Sequence, residues 1–191
     1  MLPLDILGER CAEPAHAPLE EARCAAVALI FAHGADGLEL CFVKRKEYPG
    51  DPWSGQMALP GGKRNPGDIS AHQVAIREVQ EEVGLNLDDS QLLGMMTSMD
   101  AGGARGRLPV FPVLYQLDGP GPKLTIGEEL AEGHWISVRH LWDRDNWSSL
   151  DWNGNNFAGI AHGERIIWGF TLGILTRLSE IAGMSIRDVY S

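Results

Sequence analysis

The spacing of apolar and polar positions changes along the chain, and each change marks an element. CAAVALIFA (24–32) is a short continuous apolar run rich in small and β-branched residues, which predicts a buried strand. HGADG (33–37) is a turn, and LELCFVKR (38–45) alternates as the returning strand of a hairpin. A Pro- and Gly-bearing loop (46–56) follows, then the brief extended stretch MALP (57–60), which runs into Gly61 and Gly62. The period then becomes helical. Ala75, Ile76, Val79 and Val83 fall on one side at about 100° per residue. Ser70 followed by Gln73 fits a capping box, and Gly84 supplies the stop.

Three further strands are expected, within 91–99, 108–117 and 134–138, with Pro109 and Pro112 hinting at an edge or an irregular start. GPGPK (119–123) is a turn, glycines punctuate 159–163, and 166–183 reads as a terminal amphipathic helix. Strands flanking two helices suggest an α+β sandwich rather than regular βαβ alternation. Residues 1–22 are rich in Pro, Ala and Glu. The expected organisation is therefore a loosely tied N-terminal arm (1–23) followed by a single domain (24–191).

Composition narrows the classes. The 191 residues are 44% hydrophobic, as in an ordinary globular domain, and no apolar run could span a bilayer. The start MLPLDILGER lacks a basic segment followed by a long apolar one, so no secretory signal is expected. Cys11, Cys24 and Cys41 are odd in number and lack metal-ligand spacing, so they read as reduced thiols in the cytoplasm. A net charge of −10 disfavours nonspecific nucleic-acid binding and docking on an anionic membrane. It leaves room for a small anionic substrate if cations sit between it and the carboxylates.

That condition draws attention to REVQEEVG (77–84). Glu78, Glu81 and Glu82 stand at i, i+3 and i+4, beside the apolar arc of the helix. Like charges at that spacing repel by a few tenths of a kcal/mol per pair, so either water screens them or a ligand offsets them. A hard, oxygen-seeking cation such as Mg²⁺ suits such a cluster, and two cations could stabilise both the attacking and the leaving oxygen at phosphorus. A solvated helix face is the competing reading of the glutamates alone, with Arg77 as a simple i, i+4 partner of Glu81.

The context favours the first. GGKRNPGDISAHQVAIREVQEEVGL (61–85) resembles the Nudix box, with Arg77, Glu78, Val79, Glu81, Glu82, Gly84 and Leu85 matching its second half throughout. Counted from Gly62, Asp68 takes the place of the box's first Glu, and one extra loop residue separates it from Arg77. The resemblance implies an α/β/α sandwich with a mixed sheet over most of 24–182. It also implies Mg²⁺- or Mn²⁺-dependent hydrolysis of a nucleoside diphosphate linked to another moiety. Carried over, Glu78 and Glu82 would be metal ligands, and Glu81 a ligand or the group that activates water. The carbonyl of Gly61 or Gly62 would complete a metal shell, and Arg77 would orient the glutamates. A later-loop acid from Glu128, Glu129 and Glu132 would serve as base or extra ligand, with Glu129 preferred. Homodimers are common in the family.

DPWSGQMALPGG (51–62) is similar to the stretch before the box in the coenzyme A pyrophosphatase branch, through Gly55, Gln56, Pro60, Gly61 and Gly62. Asp51 and Trp53 stand where that branch usually has Arg and His. Arg45 and Lys46 are candidate phosphate contacts, and Gln56 belongs to the same substrate set. Trp53 either stacks on a base or plugs its loop onto the core. Trp168 is expected to pack in the core, and His72 to be a helix-face residue and not a ligand. The competing functions are hydrolysis of ADP-ribose, a dinucleotide or a nucleoside triphosphate, or a nucleotide-binding regulator without turnover. A prenyl diphosphate isomerase would want a nucleophilic Cys, and Cys41 lies in the wrong part of the hairpin.

Overall fold

Strand β1 (Ala25–Gly34) is buried on both faces, and the residue types on each face decide what packs there. In this computed structural model, which describes residues 2–11, 13–20, 23–49, 54–101, 106–152 and 154–184, one face carries Ala26, Ala28, Ile30 and Ala32. The other carries Leu29 and Phe31. The small side chains let helix α2 (Ala71–Val83) lie close, through Val74, Ala75, Val79 and Val83. The larger ones meet helix α4 (Gly169–Ile181), through Leu172, Ile174, Leu175 and Leu178, and Leu7 of helix α1 (Leu4–Arg10). The result is helices on both sides of one sheet, a mixed α/β/α sandwich as expected.

The sheet has 8 strands. Strand β2 (Gly37–Arg45) pairs antiparallel with β1, and β3 (Met57–Ala58) and β8 (Leu130–Ser137) pair antiparallel with β2. Strand β7 (Pro109–Gln116) runs parallel to β1, and β5 (Leu92–Met95) and β6 (Met99–Asp100) pair antiparallel with β7. Strand β4 (Gly61–Lys63) pairs antiparallel with the start of β1, with Gly61 opposite Val27. Despite its two prolines β7 lies inside the sheet. Pro109 is the first residue of the strand, and the Pro112 carbonyl accepts from the Met96 N–H at 2.9 Å.

Three elements differ from the sequence reading. Residues 4–10 form a helix with Leu7 fully buried, because Leu2, Leu7 and Cys11 give the first turns an apolar face that covers the sheet. The expected terminal helix begins later. Residues 165–168 are strand β11, which closes a 3-stranded antiparallel sheet with β9 (Trp147–Trp152) and β10 (Asn155–His162). Strand β8 starts at Leu130, four residues before the predicted HWISV, and is joined to helix α3 (Val138–Trp142).

The N-terminus of α2 departs slightly from a capping box. The Ser70 hydroxyl accepts from the Gln73 N–H at 3.3 Å, but the Gln73 side-chain oxygen accepts from Ile69 N–H at 2.8 Å, one residue before the cap. Gly84 closes the helix with φ of 70° and donates to the Gln80 carbonyl at 3.2 Å.

Candidate active site

Two glycines let the carboxylates of α2 lie against the backbone of β4. Gly61 has φ of 154°, and a Cβ there would run into the backbone of Ala26 and Val27. A Cβ on Gly62 would overlap the Glu78 carboxylate. The Gly61 N–H donates to Glu82 Oε2 at 2.8 Å. Glu78 and Glu82 are therefore held side by side at the sheet end, partly buried, with the peptide groups of Gly61 and Gly62 next to them.

Arg77 organises the remaining acids. Its Nη1 donates to Glu78 Oε1 at 2.8 Å and to Glu81 Oε2 at 3.1 Å. Its Nη2 donates to Asp68 Oδ2 and to the Lys63 carbonyl, both at 2.9 Å, and its Nε reaches both Asp68 oxygens. Asp68 is buried, and its Oδ2 also accepts from the Asn65 N–H at 2.8 Å across the turn that precedes it. Sequence reasoning left the role of Asp68 open, and this clamp on Arg77 supplies one. Burial pushes the Asp68 carboxyl up, but the hydrogen bonds from Arg77 and Asn65 and the charges of Arg77 and Arg64 together hold it below its ordinary value.

Glu78 and Glu82 are in the opposite electrostatic state. Burial pushes Glu78 up, and Glu81 and Glu129 add to it, outweighing Arg77. Burial pushes Glu82 up to about 7; the Gly61 N–H and Arg45 oppose the rise, while Glu78 and Glu129 reinforce it. Glu81 is different, exposed at 53% of its side chain and touching only the edge of the cluster.

Glu129 is brought to the cluster by α2 itself. The last turn of the helix leaves carbonyls without intrahelical partners. The Thr125 N–H donates to Val83 O and the Gly127 N–H to Glu82 O, both at 2.9 Å. A Cβ on Gly127 would strike the Glu81 carbonyl, so glycine allows this approach. The loop thus docks on the helix end, and the charge of Glu129 acts on both Glu78 and Glu82. Lys46 ties the same loop down: its Nζ donates to Glu128 O at 2.6 Å and its N–H to Glu129 O at 3.1 Å. Glu132 points elsewhere, into ion pairs with Lys44, His134 and Arg165.

Of the expected substrate contacts, Arg45 lies near enough for its charge to act on Glu82. The Arg45 N–H donates to the Gln56 carbonyl at 3.1 Å, so Gln56 flanks the same strand end. Trp53 lies outside the described residues. Trp168 is partly buried among Trp152 and Phe157, with ring centroids 5.2 and 5.4 Å away. Cys41 is fully buried, and burial together with the charge of Glu82 pushes its thiol up to about 12, which leaves no thiolate to act as a nucleophile.

A partly buried pair of carboxylates, Glu78 and Glu82, thus stands on a capped helix, backed by a double-glycine turn and held on one side by Arg77. Residues 22–153 match the NUDIX domain, and the chain belongs to the Nudix family. It is 25% identical over 134 residues to a Yersinia enterocolitica protein described as an uncharacterized Nudix hydrolase NudL, covering 66% of each chain. It is 29% identical over 135 residues to the Mus musculus mitochondrial coenzyme A diphosphatase NUDT8, covering 65% of this chain and 61% of that one. The chain thus spans less than two thirds of the length of these relatives. The crystal structure of a MutT/nudix family protein from Enterococcus faecalis superposes with a TM-score of 0.60 over 90% of this chain and 70% of that one, at 20% identity, a likeness of fold. Among the described residues no helix is long and apolar enough to cross a membrane.

Proposed function

We propose that this chain is a phosphoanhydride hydrolase that uses Mg²⁺ or Mn²⁺ to cleave a nucleoside diphosphate linked to another moiety. Coenzyme A or a derivative is the leading substrate, and the setting is the cytoplasm. The observation that carries the reading is the state of Glu78 and Glu82. Both are partly buried and share their surroundings with Glu81 and Glu129, and Glu82 accepts a hydrogen bond from the backbone N–H of Gly61. Such a cluster fits a divalent cation better than it fits protons alone.

Glu78, Glu82 and the carbonyl of Gly61 or Gly62 would hold the cation, with Glu81 as a further ligand or as the group that activates water. When bound, the cation would supply charge stabilisation at the phosphoryl oxygens and a more acidic water. The chain's own residues do the rest. Arg77, fixed by Asp68, keeps Glu78 and Glu81 in one orientation. Glu129 would accept a proton from the attacking water, a role supported by the anchoring of its loop to the end of α2. Arg45, Lys46, Gln56 and Trp53 are assigned to the substrate side. The coenzyme A preference rests on the resemblance of 51–62 and on the name of the NUDT8 relative.

The test is a panel of coenzyme A, ADP-ribose, dinucleotides and nucleoside triphosphates with Mg²⁺ or Mn²⁺, and with Glu82→Gln as control. The expected result is release of 3′,5′-ADP from coenzyme A, lost in the variant. Turnover of another panel compound would move the substrate assignment. Equal turnover by the variant would remove the glutamates from the mechanism, and binding without any turnover would favour a regulator.

A further inference from the structure

Away from the carboxylate cluster, three chain segments bring two imidazoles and a carboxylate together. His72 is in the first turn of α2, six residues before Glu78, which is about 9 Å along a helix axis. Its Nε2 lies 3.0 Å from Asp89 Oδ1. His16 Nε2 lies 3.7 Å from the same oxygen, and the His16 and His72 rings are 4.4 Å apart. One ligand atom from each of the three falls within 4.8 Å of the other two. Adjacent ligands of a tetrahedral Zn²⁺ sit about 3.3 Å apart when each bond is about 2.0–2.1 Å, so small side-chain movements would close the set around an ion.

The groups are fixed by structure rather than by chance proximity. The segment carrying His16 is laced along the approach to α2: His72 N–H donates to Ala15 O at 3.0 Å, and Leu19 N–H to Ile69 O at 2.9 Å. Asp89 opens a single 3-10 turn (89–91), capped by Asp88, whose Oδ1 accepts from Ser90 N–H at 2.8 Å. His72 is 4% exposed, and its other ring nitrogen, Nδ1, is hydrogen-bonded to the hydroxyl of fully buried Tyr115 at 3.0 Å. A metal-ligating histidine commonly has such a second partner, which fixes the ring and its tautomer. His16 and Asp89 have side chains 55% and 78% exposed, which leaves an entry path and an open fourth position for water.

We propose that His16, His72 and Asp89 form a transition-metal site of the Zn²⁺ class, separate from the carboxylate cluster, that fastens the N-terminal segment to the start of α2. Imidazole nitrogens set the class, since Mg²⁺ prefers an all-oxygen shell whereas Zn²⁺ takes two imidazoles and a carboxylate readily. His72, read from the sequence as a helix-face residue, becomes the central ligand. In the bound state its Nδ1–H donates to the Tyr115 oxygen, and Nε2 offers its lone pair to the metal. Because the ion joins residues far apart in the chain and has no equivalent set in the unfolded protein, binding raises stability by mass action.

The test is a Zn²⁺ titration of the full chain in millimolar Mg²⁺, added to compete for the carboxylate cluster, followed by thermal unfolding with and without Zn²⁺. One equivalent of Zn²⁺ is expected in the wild type and in Glu82→Gln, with a rise in Tm in both. His16→Ala and Asp89→Asn, at exposed positions, are expected to weaken binding by at least about tenfold and to abolish the Tm rise. Tyr115→Phe keeps the ring and removes the second partner of His72, and is expected to weaken binding by about tenfold. No binding by the wild type, or binding unchanged in His16→Ala and Asp89→Asn but lost in Glu82→Gln, would overturn the site.

Discussion

Glu82 and Glu132 are the same residue type in the same domain and stand in opposite electrostatic states. Glu132, on β8, meets Lys44 at 3.6 Å, His134 at 2.9 Å and the Arg165 guanidinium. Burial opposes its charge, but the hydrogen bonds of Arg165 and His134 and the positive charges around it hold the carboxyl below its ordinary value. On α2 the ratio is reversed. One guanidinium, Arg77, is divided among Asp68, Glu78 and Glu81, while Glu82 has a backbone N–H and the charge of Arg45 against Glu78 and Glu129. A carboxylate that already has its cations is structural. Carboxylates crowded around too little positive charge are where an added cation gains most. The local balance of partners, not the count of acidic residues, separates the two.

The comparison breaks most visibly at Glu82. Glu82→Gln removes a proposed ligand while leaving its volume and the Gly61 contact available. The expected loss in kcat on the substrate found by the panel is roughly a thousandfold, about 4 kcal/mol of transition-state stabilisation. Metal-free protein should show the reverse trend, with a Tm no lower than wild type, because the change deletes a desolvated charge among like charges. A marked drop in that Tm would mean that Glu82, like Glu132, holds the fold together.

Gly62→Ala tests whether the backbone is part of the cluster. The new Cβ would overlap the Glu78 carboxylate, so Glu78 must swing away from β4. A misplacement of this size is expected to cost about a hundredfold in kcat, with the far-ultraviolet circular dichroism unchanged. Asp68→Asn acts one step further out. It keeps the shape but weakens the charge-assisted bonds to Arg77 Nε and Nη2. A loss of about tenfold in kcat with a smaller change in KM is expected, as for a partner that orients a ligand without touching it. Equal losses in kcat and in metal-free stability would instead assign Asp68 to the fold.

Asp68 also shows where sequence reasoning stops. The helix, its stop at Gly84 and its carboxylate arc are local facts, fixed by spacing along one segment, and they were legible. So was the β1–β2 hairpin, whose apolar run and alternation lie on either side of one turn. The hold of Asp68 on Arg77 depends on how the loop between β4 and α2, with its one extra residue between Asp68 and Arg77, folds back over α2, and no periodicity encodes that. Helix α1 was hidden because Pro- and Ala-rich composition outweighed three buried apolar residues, Leu2, Leu7 and Cys11. The β9–β10 hairpin was hidden because most of its outer positions are exposed and polar, leaving too few apolar residues to mark a strand. The His16–His72–Asp89 cluster draws on three distant segments, so its geometry exists only after folding.

The smallest expected effect lies at the well-partnered acid. Glu132→Gln leaves Arg165, Lys44 and His134 without their shared carboxylate, on side chains that are all roughly a fifth to a third exposed. The expected cost is about 1 kcal/mol of stability at neutral pH, since solvent screens pairs of this kind, with little change in kcat. The pH dependence identifies the source. The folded carboxyl sits below its ordinary value of 4.5, so on acidification the unfolded chain takes up the proton first. The contribution of Glu132 is therefore present above about pH 4.5 and is lost as the pH falls through the lower folded value. Unfolding curves of wild type and Glu132→Gln should stand apart at neutral pH and converge in acid. Curves that stay parallel down to acid pH would assign the loss to packing instead of charge, and would remove the contrast with Glu82.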